Sequence, residues 1–217
     1  MGSLKFPHTS GNSMSIAAPA TNPASDLELK LPATIGTAGQ VLRNSATAGT
    51  VAFGGNNILQ IKSSTKTDAF QKGTTTAWFD IDGTDETGSG SVWECNITPL
   101  SATSKFLVYA SVNASATYHS SMKLVRDSTD LLIGDASGNQ TRATWYPGYS
   151  QSSYIHNCST FYLDSPGTTS AVTYKVQGAT PHSATYTFAV NQITGGGADS
   201  AYVNRVGSVI TVMEFAT

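Results

Sequence analysis

The residues of this chain that could do chemistry are few and widely spaced. Its four histidines, His8, His119, His156 and His182, lie in unrelated segments, and their spacing pairs none of them with a nucleophile or a second metal ligand. The sequence has no glycine-rich phosphate-binding motif. Asp and Glu residues occur singly or together in one turn. Polysaccharide hydrolysis instead needs two carboxyl groups that face the same cleft. We predict that the protein is not an enzyme. Of the functions that the sequence could support, polysaccharide degradation is the least favoured.

The most acidic run, DIDGTDE at residues 80–86, resembles the start of a calcium-binding loop. The full loop needs a third ligand two residues after Asp82 and a glutamate near its twelfth position. Thr84 and a Gly/Ser stretch occupy those places. We interpret the run as a solvated turn, and we predict no metal site and no cofactor.

The densest aromatic cluster consists of Trp145, Tyr146, Tyr149 and Tyr154, with Ser150 and Gln151 between them. Aromatic faces beside hydroxyl and amide groups suit sugar rings, and they suit protein contacts equally well. One interpretation is an aromatic plug in the core or at a subunit interface. The other is an exposed loop, in which these four aromatic residues are receptor-contact candidates.

Composition excludes several classes of partner. Charged residues make up 12% of the chain, about half of the ~25% usual in soluble domains, and the net charge is −2. There is no basic stripe for a phosphate backbone, so we predict no nucleic-acid partner. No run of about 18 apolar residues and no leader follows Met1, so we predict no membrane insertion. We expect Cys95 and Cys158 to be small buried hydrophobic residues, with a disulfide as the alternative if their strands are neighbours.

Residues 1–55 are rich in small and hydroxyl-bearing side chains and hold too few large apolar residues to close a core. Residues 27–32 alternate strictly and predict a strand with one leucine face, and shorter strands are predicted at 40–42 and 51–53. A leucine face without a partner sheet is unstable in water, whereas three copies around an axis could cover it. A flexible arm is the alternative. The predicted trimer and anchor contacts are Leu27, Leu29, Leu31, Val41 and Leu42.

Residues 56–217 read as about ten short strands that could close a core. They are predicted at 58–67, 77–81, 92–97, 105–112, 122–126, 142–146, 159–163, 171–176, 185–190 and 208–215. This pattern favours an all-β fold, a jelly-roll sandwich preceded by a short β-strand fibre or anchor segment. Strand 105–112 is apolar on both faces. We therefore expect it to be central, covered once by the other sheet and once by a subunit contact.

Two stretches resemble known families. The segments LELKLPAT at 27–34, GTAGQVL at 36–42 and GTVAF at 49–53 resemble a module of tailed-bacteriophage fibres. Segments at 58–68, 97–105 and 124–135, in their order and spacing, resemble a domain of virion structural proteins from marine phages.

The resemblance implies a homotrimeric virion appendage without catalysis, with a jelly roll similar to the tumour-necrosis-factor and C1q type. Residues 1–55 would then be a short shaft that attaches to other virion proteins, and residues 56–217 a knob that could contact a host cell-surface glycan or protein. Phage fibres are usually far longer, so the chain would be a short fibre or knob on the tail or capsid. The alternatives are a capsid decoration protein and a carbohydrate-binding module without a fibre role.

Overall fold

The computed structural model describes residues 3–7, 13–17, 29–33, 36, 40–45, 47, 50–54, 58–73, 76–82, 91–147, 154–182, 186–194 and 203–216. The chain divides into two compact units, Met1–Asn56 and Asn57–Thr217. The assignment of an anchor and a knob to the two parts of the chain stays a prediction.

The first unit contains two antiparallel pairs of short strands. Strands β1 (Ser3–Pro7) and β2 (Ser13–Ala17) form one pair, and β3 (Val41–Asn44) and β4 (Val51–Gly54) form the other. The strand predicted at 27–32 is wrong over its described residues, because only Lys30 forms a bridge there, with Thr50. Alternating leucines favour an extended chain, but a strand also needs a partner whose backbone groups it can pair along its length.

The second unit contains eleven strands among its described residues. They are β5 (Ile58–Lys66), β6 (Phe70–Lys72), β7 (Phe79–Asp80), β8 (Glu94–Ile97), β9 (Lys105–Ala116), β10 (Ser121–Arg126), β11 (Thr129–Leu131), β12 (His156–Asp164), β13 (Val172–Ala179), β14 (Phe188–Val190) and β15 (Ser208–Phe215). Every pairing between them is antiparallel. None of the residues that the structure describes is helical.

The second unit is a sandwich of two sheets. In the first sheet β5, β15, β9 and β12 pair in that order, β14 also pairs with β9, and β6 pairs with β14. In the second sheet β8, β13, β10 and β11 pair in that order, and β7 also pairs with β13. When β6, β7 and β14 are left out and the remaining eight strands are numbered in chain order, the first sheet holds strands one, eight, three and six. The second holds two, seven, four and five, which is the jelly-roll arrangement. The prediction of an all-β sandwich is confirmed.

The core lies between the two sheets and follows from strict alternation along the strands. In β9, Phe106, Val108, Ala110 and Val112 are fully buried, as the sequence predicts for one face of this strand. The second sheet contributes large buried side chains such as Tyr174. Burying one such apolar side chain stabilises a fold by about 1.5–3 kcal/mol, so the second unit has a core of its own.

The strand predicted at 142–146 is wrong. The segment forms a single bridge, between Trp145 and Met122, and no strand. The three-residue strands β6 and β11 were not predicted. Aromatic and β-branched residues favour extended backbone, but whether that backbone joins a ladder depends on which neighbour the rest of the fold supplies.

The two cysteines are free thiols in different sheets. Cys95 in β8 is buried in the core, as predicted, whereas Cys158 in β12 is only partly buried and packs against the core. Burial raises the pKa of the Cys95 thiol to about 11, although the Lys62 charge opposes this, and burial also raises the pKa of Cys158. Both groups are therefore weak nucleophiles at neutral pH.

The Glu214 carboxyl group is buried at the end of β15. Its surroundings predict that the free energy of unfolding falls in acid. The carboxyl group accepts hydrogen bonds from the Leu100 backbone N–H at 2.7 Å and from Gln60 Nε2 at 2.5 Å. Burial alone would raise the pKa of Glu214, but hydrogen bonds from Gln60 and from the backbone of Leu100 and Ser101 outweigh it and hold the pKa below its ordinary value.

Because the pKa of Glu214 is lower in the folded than in the unfolded chain, its contribution is complete above the unfolded value of about 4.3 and is lost as pH falls through the folded value. We expect Glu214→Gln to make the free energy of unfolding less pH-dependent between pH 7 and pH 3. Urea unfolding of both proteins across this range measures the difference. Parallel pH curves for the two proteins would contradict this prediction.

Candidate functional site

The first sheet carries a row of apolar side chains on its outer face, the face turned away from the second sheet. Leu163 in β12 lies opposite Leu107 in β9, Leu107 lies opposite Met213 in β15, and Met213 lies opposite Ile61 in β5. Cross-strand neighbours on one face are in side-chain contact distance. The row is therefore a continuous apolar strip across four strands.

A second row continues this strip at the β12 side. Phe161 lies opposite Tyr109, and their rings stack with centroids 4.6 Å apart. Thr211 and Ser63 complete the row, with hydroxyl oxygens 2.9 Å apart. On the other side of the first row, Phe215 lies opposite Ile58. We call these side chains the apolar patch: Leu163, Leu107, Met213, Ile61, Phe161, Tyr109, Phe215 and Ile58.

The far end of the same outer face is polar. Ser159 lies opposite Ser111, and Asn157 lies opposite Asn113. Asn157 Nδ2 donates to Ser111 Oγ at 2.9 Å and to Asn113 Oδ1 at 3.1 Å, so these groups partly satisfy one another. The face therefore changes from apolar to polar along the strands.

The apolar patch is substantially exposed in the single chain. Phe161 is 65% exposed, Leu163 60%, Ile61 53% and Ile58 43%. Scattered exposed apolar residues are normal, but the solvent face of an antiparallel sheet usually carries polar residues, and contiguous exposed patches mark interaction surfaces. Chemically, this face can bind another apolar surface. It carries no set of groups for catalysis among its described residues.

The predicted trimer and anchor contacts in the N-terminal segment are also exposed. Leu29 is 61% exposed, Leu31 72%, Val41 46% and Leu42 52%, whereas Leu27 lies outside the described residues. Their role in contacts between chains stays a prediction.

The predicted aromatic receptor cluster is divided by the fold. Trp145 packs against the core of the sandwich, and its indole Nε1 is buried without a hydrogen-bond partner among the described residues. Tyr146 and Tyr154 are 56% and 59% exposed, and they line two different cavities. Tyr149 lies outside the described residues. Trp145 is thus partly buried against the core, whereas Tyr146 and Tyr154 have the exposure that a receptor contact requires.

A cavity of about 780 Å³ lies beside Tyr146. The described residues that line it are His119, Ser121, Gln140, Thr141, Tyr146, Pro181 and His182. The His119 Nδ1 and the Tyr146 hydroxyl form a hydrogen bond. His119 follows β9 and His182 follows β13, so the ends of two core strands position the two imidazoles.

Tyr118 packs against both imidazoles that line this cavity. Its ring centroid is 4.4 Å from that of His119 and 5.2 Å from that of His182, and it stacks on Tyr186 at 4.6 Å. In the sequence, His119 and His182 lie in unrelated segments. Residues 118–119, 146, 182 and 186 come together only through strand pairing, and Tyr118 and His119 lie beyond the end of the strand predicted at 105–112.

In the described part of the acidic turn, residues 80–82, the Asp80 carboxylate pairs with side chains of β13. Asp80 accepts from Lys175 Nζ at 2.8 Å and from Gln177 Nε2 at 2.7 Å, so its carboxylate serves an ion pair across β7 and β13. Residues 83–86 lie outside the described ranges. The described residues contain no cluster of three or more potential metal ligands, and no helix among them could span a membrane.

Comparison with known proteins leaves the family open. No family model matches the chain, and no curated protein sequence is significantly similar to it. The resemblance to phage fibre and virion proteins stays a prediction.

Proposed function

We propose that the protein is a structural component of a bacteriophage virion, a short homotrimeric fibre or knob on the tail or capsid. Its role is assembly and attachment rather than catalysis. The observation that carries this proposal is the apolar patch on the outer face of the first sheet, which a partner chain must cover.

The composition of the patch supports a permanent contact between copies of the chain. Lasting interfaces are more apolar than transient ones and resemble a protein core cut in half. Leu163, Leu107, Met213 and Ile61 form such a row, without a charged side chain. Covering the exposed part of each large patch residue contributes about 1 kcal/mol per side chain, and the contribution is repeated in every copy.

A closed ring of three chains is the proposed arrangement. In a closed ring every copy uses this face in a contact, so no patch stays exposed. Head-to-tail contacts that do not close into a ring would instead lead to filaments. The resemblance of residues 27–53 to a trimeric fibre module supports three copies rather than two. Leu29 and Leu31, exposed in one chain, would then contact their copies in the other two chains.

The virion role is tested on purified particles of a phage whose genome encodes this chain. We expect mass spectrometry to detect the chain in the particles, and antibodies against the purified protein to label the tail or capsid surface in electron micrographs. A known capsid protein of the same particles is the positive control. Particles that lack the chain, while infected cells contain it, would contradict the proposal.

A further inference from the structure

The cavity lined by His119, Tyr146 and His182 has the chemistry of a saccharide site, and we propose that it binds a neutral sugar unit of a glycan. The volume of about 780 Å³ lies within the roughly 300–1,000 Å³ of small-molecule sites. This inference goes beyond the proposed assembly role, since binding can be measured whether or not the protein is a virion component.

The charge of the cavity points to an uncharged ligand. Among its described lining residues there is no Asp, Glu, Lys or Arg. Taking a charged ligand out of water without a counter-charge is costly, so a phosphate- or carboxylate-bearing ligand fits poorly.

The hydrogen-bonding groups of the cavity match the hydroxyl groups of a sugar. A hydroxyl both donates and accepts, and so do an imidazole, an amide and an alcohol side chain. The cavity offers these groups from His119, His182, Gln140 and Thr141. Each of these groups can therefore pair with a sugar hydroxyl that either donates or accepts.

The aromatic groups supply the second half of sugar recognition. A sugar ring has an apolar C–H face, and the exposed ring of Tyr146 gives it a flat apolar surface. The hydrogen bond to His119 holds Tyr146 in place, and Tyr118 packs against both His119 and His182. A site whose side chains are held before binding loses less entropy when the ligand arrives.

The binding test applies the full-length protein to an array of immobilised neutral and acidic oligosaccharides. We expect binding to neutral glycans, weakened at least about tenfold by Tyr146→Ala and by His182→Ala. Tyr146→Phe keeps the ring and is expected to retain more binding than Tyr146→Ala. Leu100→Ala, which truncates an exposed side chain outside the cavity, is the matched control and should bind as the original protein does. Circular dichroism confirms that each variant is folded.

A second measurement locates the site in the unmodified protein and so does not depend on the folding of a variant. On adding a neutral glycan, we expect the imidazole NMR signals of His119 and His182 to shift and that of His156, on β12, to stay in place. No binding to neutral glycans at millimolar concentration, binding to acidic glycans alone, or binding that leaves both His119 and His182 signals unmoved would overturn the proposal.

Discussion

Replacement of Asp164 by alanine is expected to lower the free energy of unfolding by about 3–5 kcal/mol, the usual cost of removing one partner of a buried ion pair. Asp164 lies at the end of β12 with its side chain 5% exposed. Its two oxygens are 2.6 and 2.7 Å from Arg126 Nη1, and the Tyr174 hydroxyl donates to it at 2.7 Å. Because Asp164 belongs to the first sheet and its two partners to the second, this network joins the two sheets of the sandwich.

The loss of stability arises because Arg126 and Tyr174 would lose the carboxylate that they bind. Burial, and then the hydrogen bond to Asp164, raise the pKa of Tyr174, so the phenol keeps its proton and donates. Burial would lower the pKa of Arg126, but the hydrogen bond and charge of Asp164 outweigh it and the pKa is raised. Without Asp164, a largely buried guanidinium and a buried hydroxyl would both lose their acceptor.

Urea unfolding at neutral pH measures this effect. Asp135→Ala removes an exposed carboxylate and is the control, expected to change the free energy of unfolding by less than about 0.5 kcal/mol. Asp164→Asn keeps an acceptor oxygen and should fall between Asp164→Ala and the original protein. A loss below about 1 kcal/mol in Asp164→Ala would contradict this account of how the sheets are joined.

The double variant Phe161→Asp, Leu163→Asp is expected to abolish assembly and leave a folded monomer. Both side chains point away from the core and are more than half exposed in the single chain, so the fold itself should survive. In the proposed assembly each substitution removes apolar burial and places a carboxylate in an apolar contact, and the cost is repeated in every copy.

Analytical ultracentrifugation across micromolar concentrations measures the assembly state of this variant. Ser159→Asp is the control, because it also adds a carboxylate to the same face of β12, at its polar end, and it should assemble as the original protein does. A folded double variant with the mass of the original assembly would show that the apolar patch is not the contact.

The parts of the fold that follow from local pattern were predictable from the sequence. Strict alternation at 105–112 placed Phe106 and Val108 on a core face and Leu107 and Tyr109 on a second apolar face, and the structure has them so. Alternation is local information, because every second side chain of a strand faces the same side. The prediction of a strand at 27–32 was wrong, because Lys30 forms only an isolated bridge with Thr50 and strand pairing depends on residues distant in the sequence.

The candidate sites were less predictable than the fold. Tyr146 was singled out from its aromatic neighbours, but Trp145 beside it packs against the core. His119 and His182 are 63 positions apart in the sequence and meet at the cavity only because β9 and β13 end near the same place. Without a nearby partner in the sequence, neither histidine carries a signal that distinguishes it from a surface residue.

The molecular mass of the purified protein in solution, measured beside a piece that starts at Asn57, tests the central claim most directly. The account predicts three times the 22.7 kDa mass of one chain for the full-length protein. It predicts a trimer for the shorter piece too, because the apolar patch lies wholly within the second unit. Monomers in both samples would contradict the homotrimeric fibre, and a trimer lost on truncation would contradict assembly through the patch.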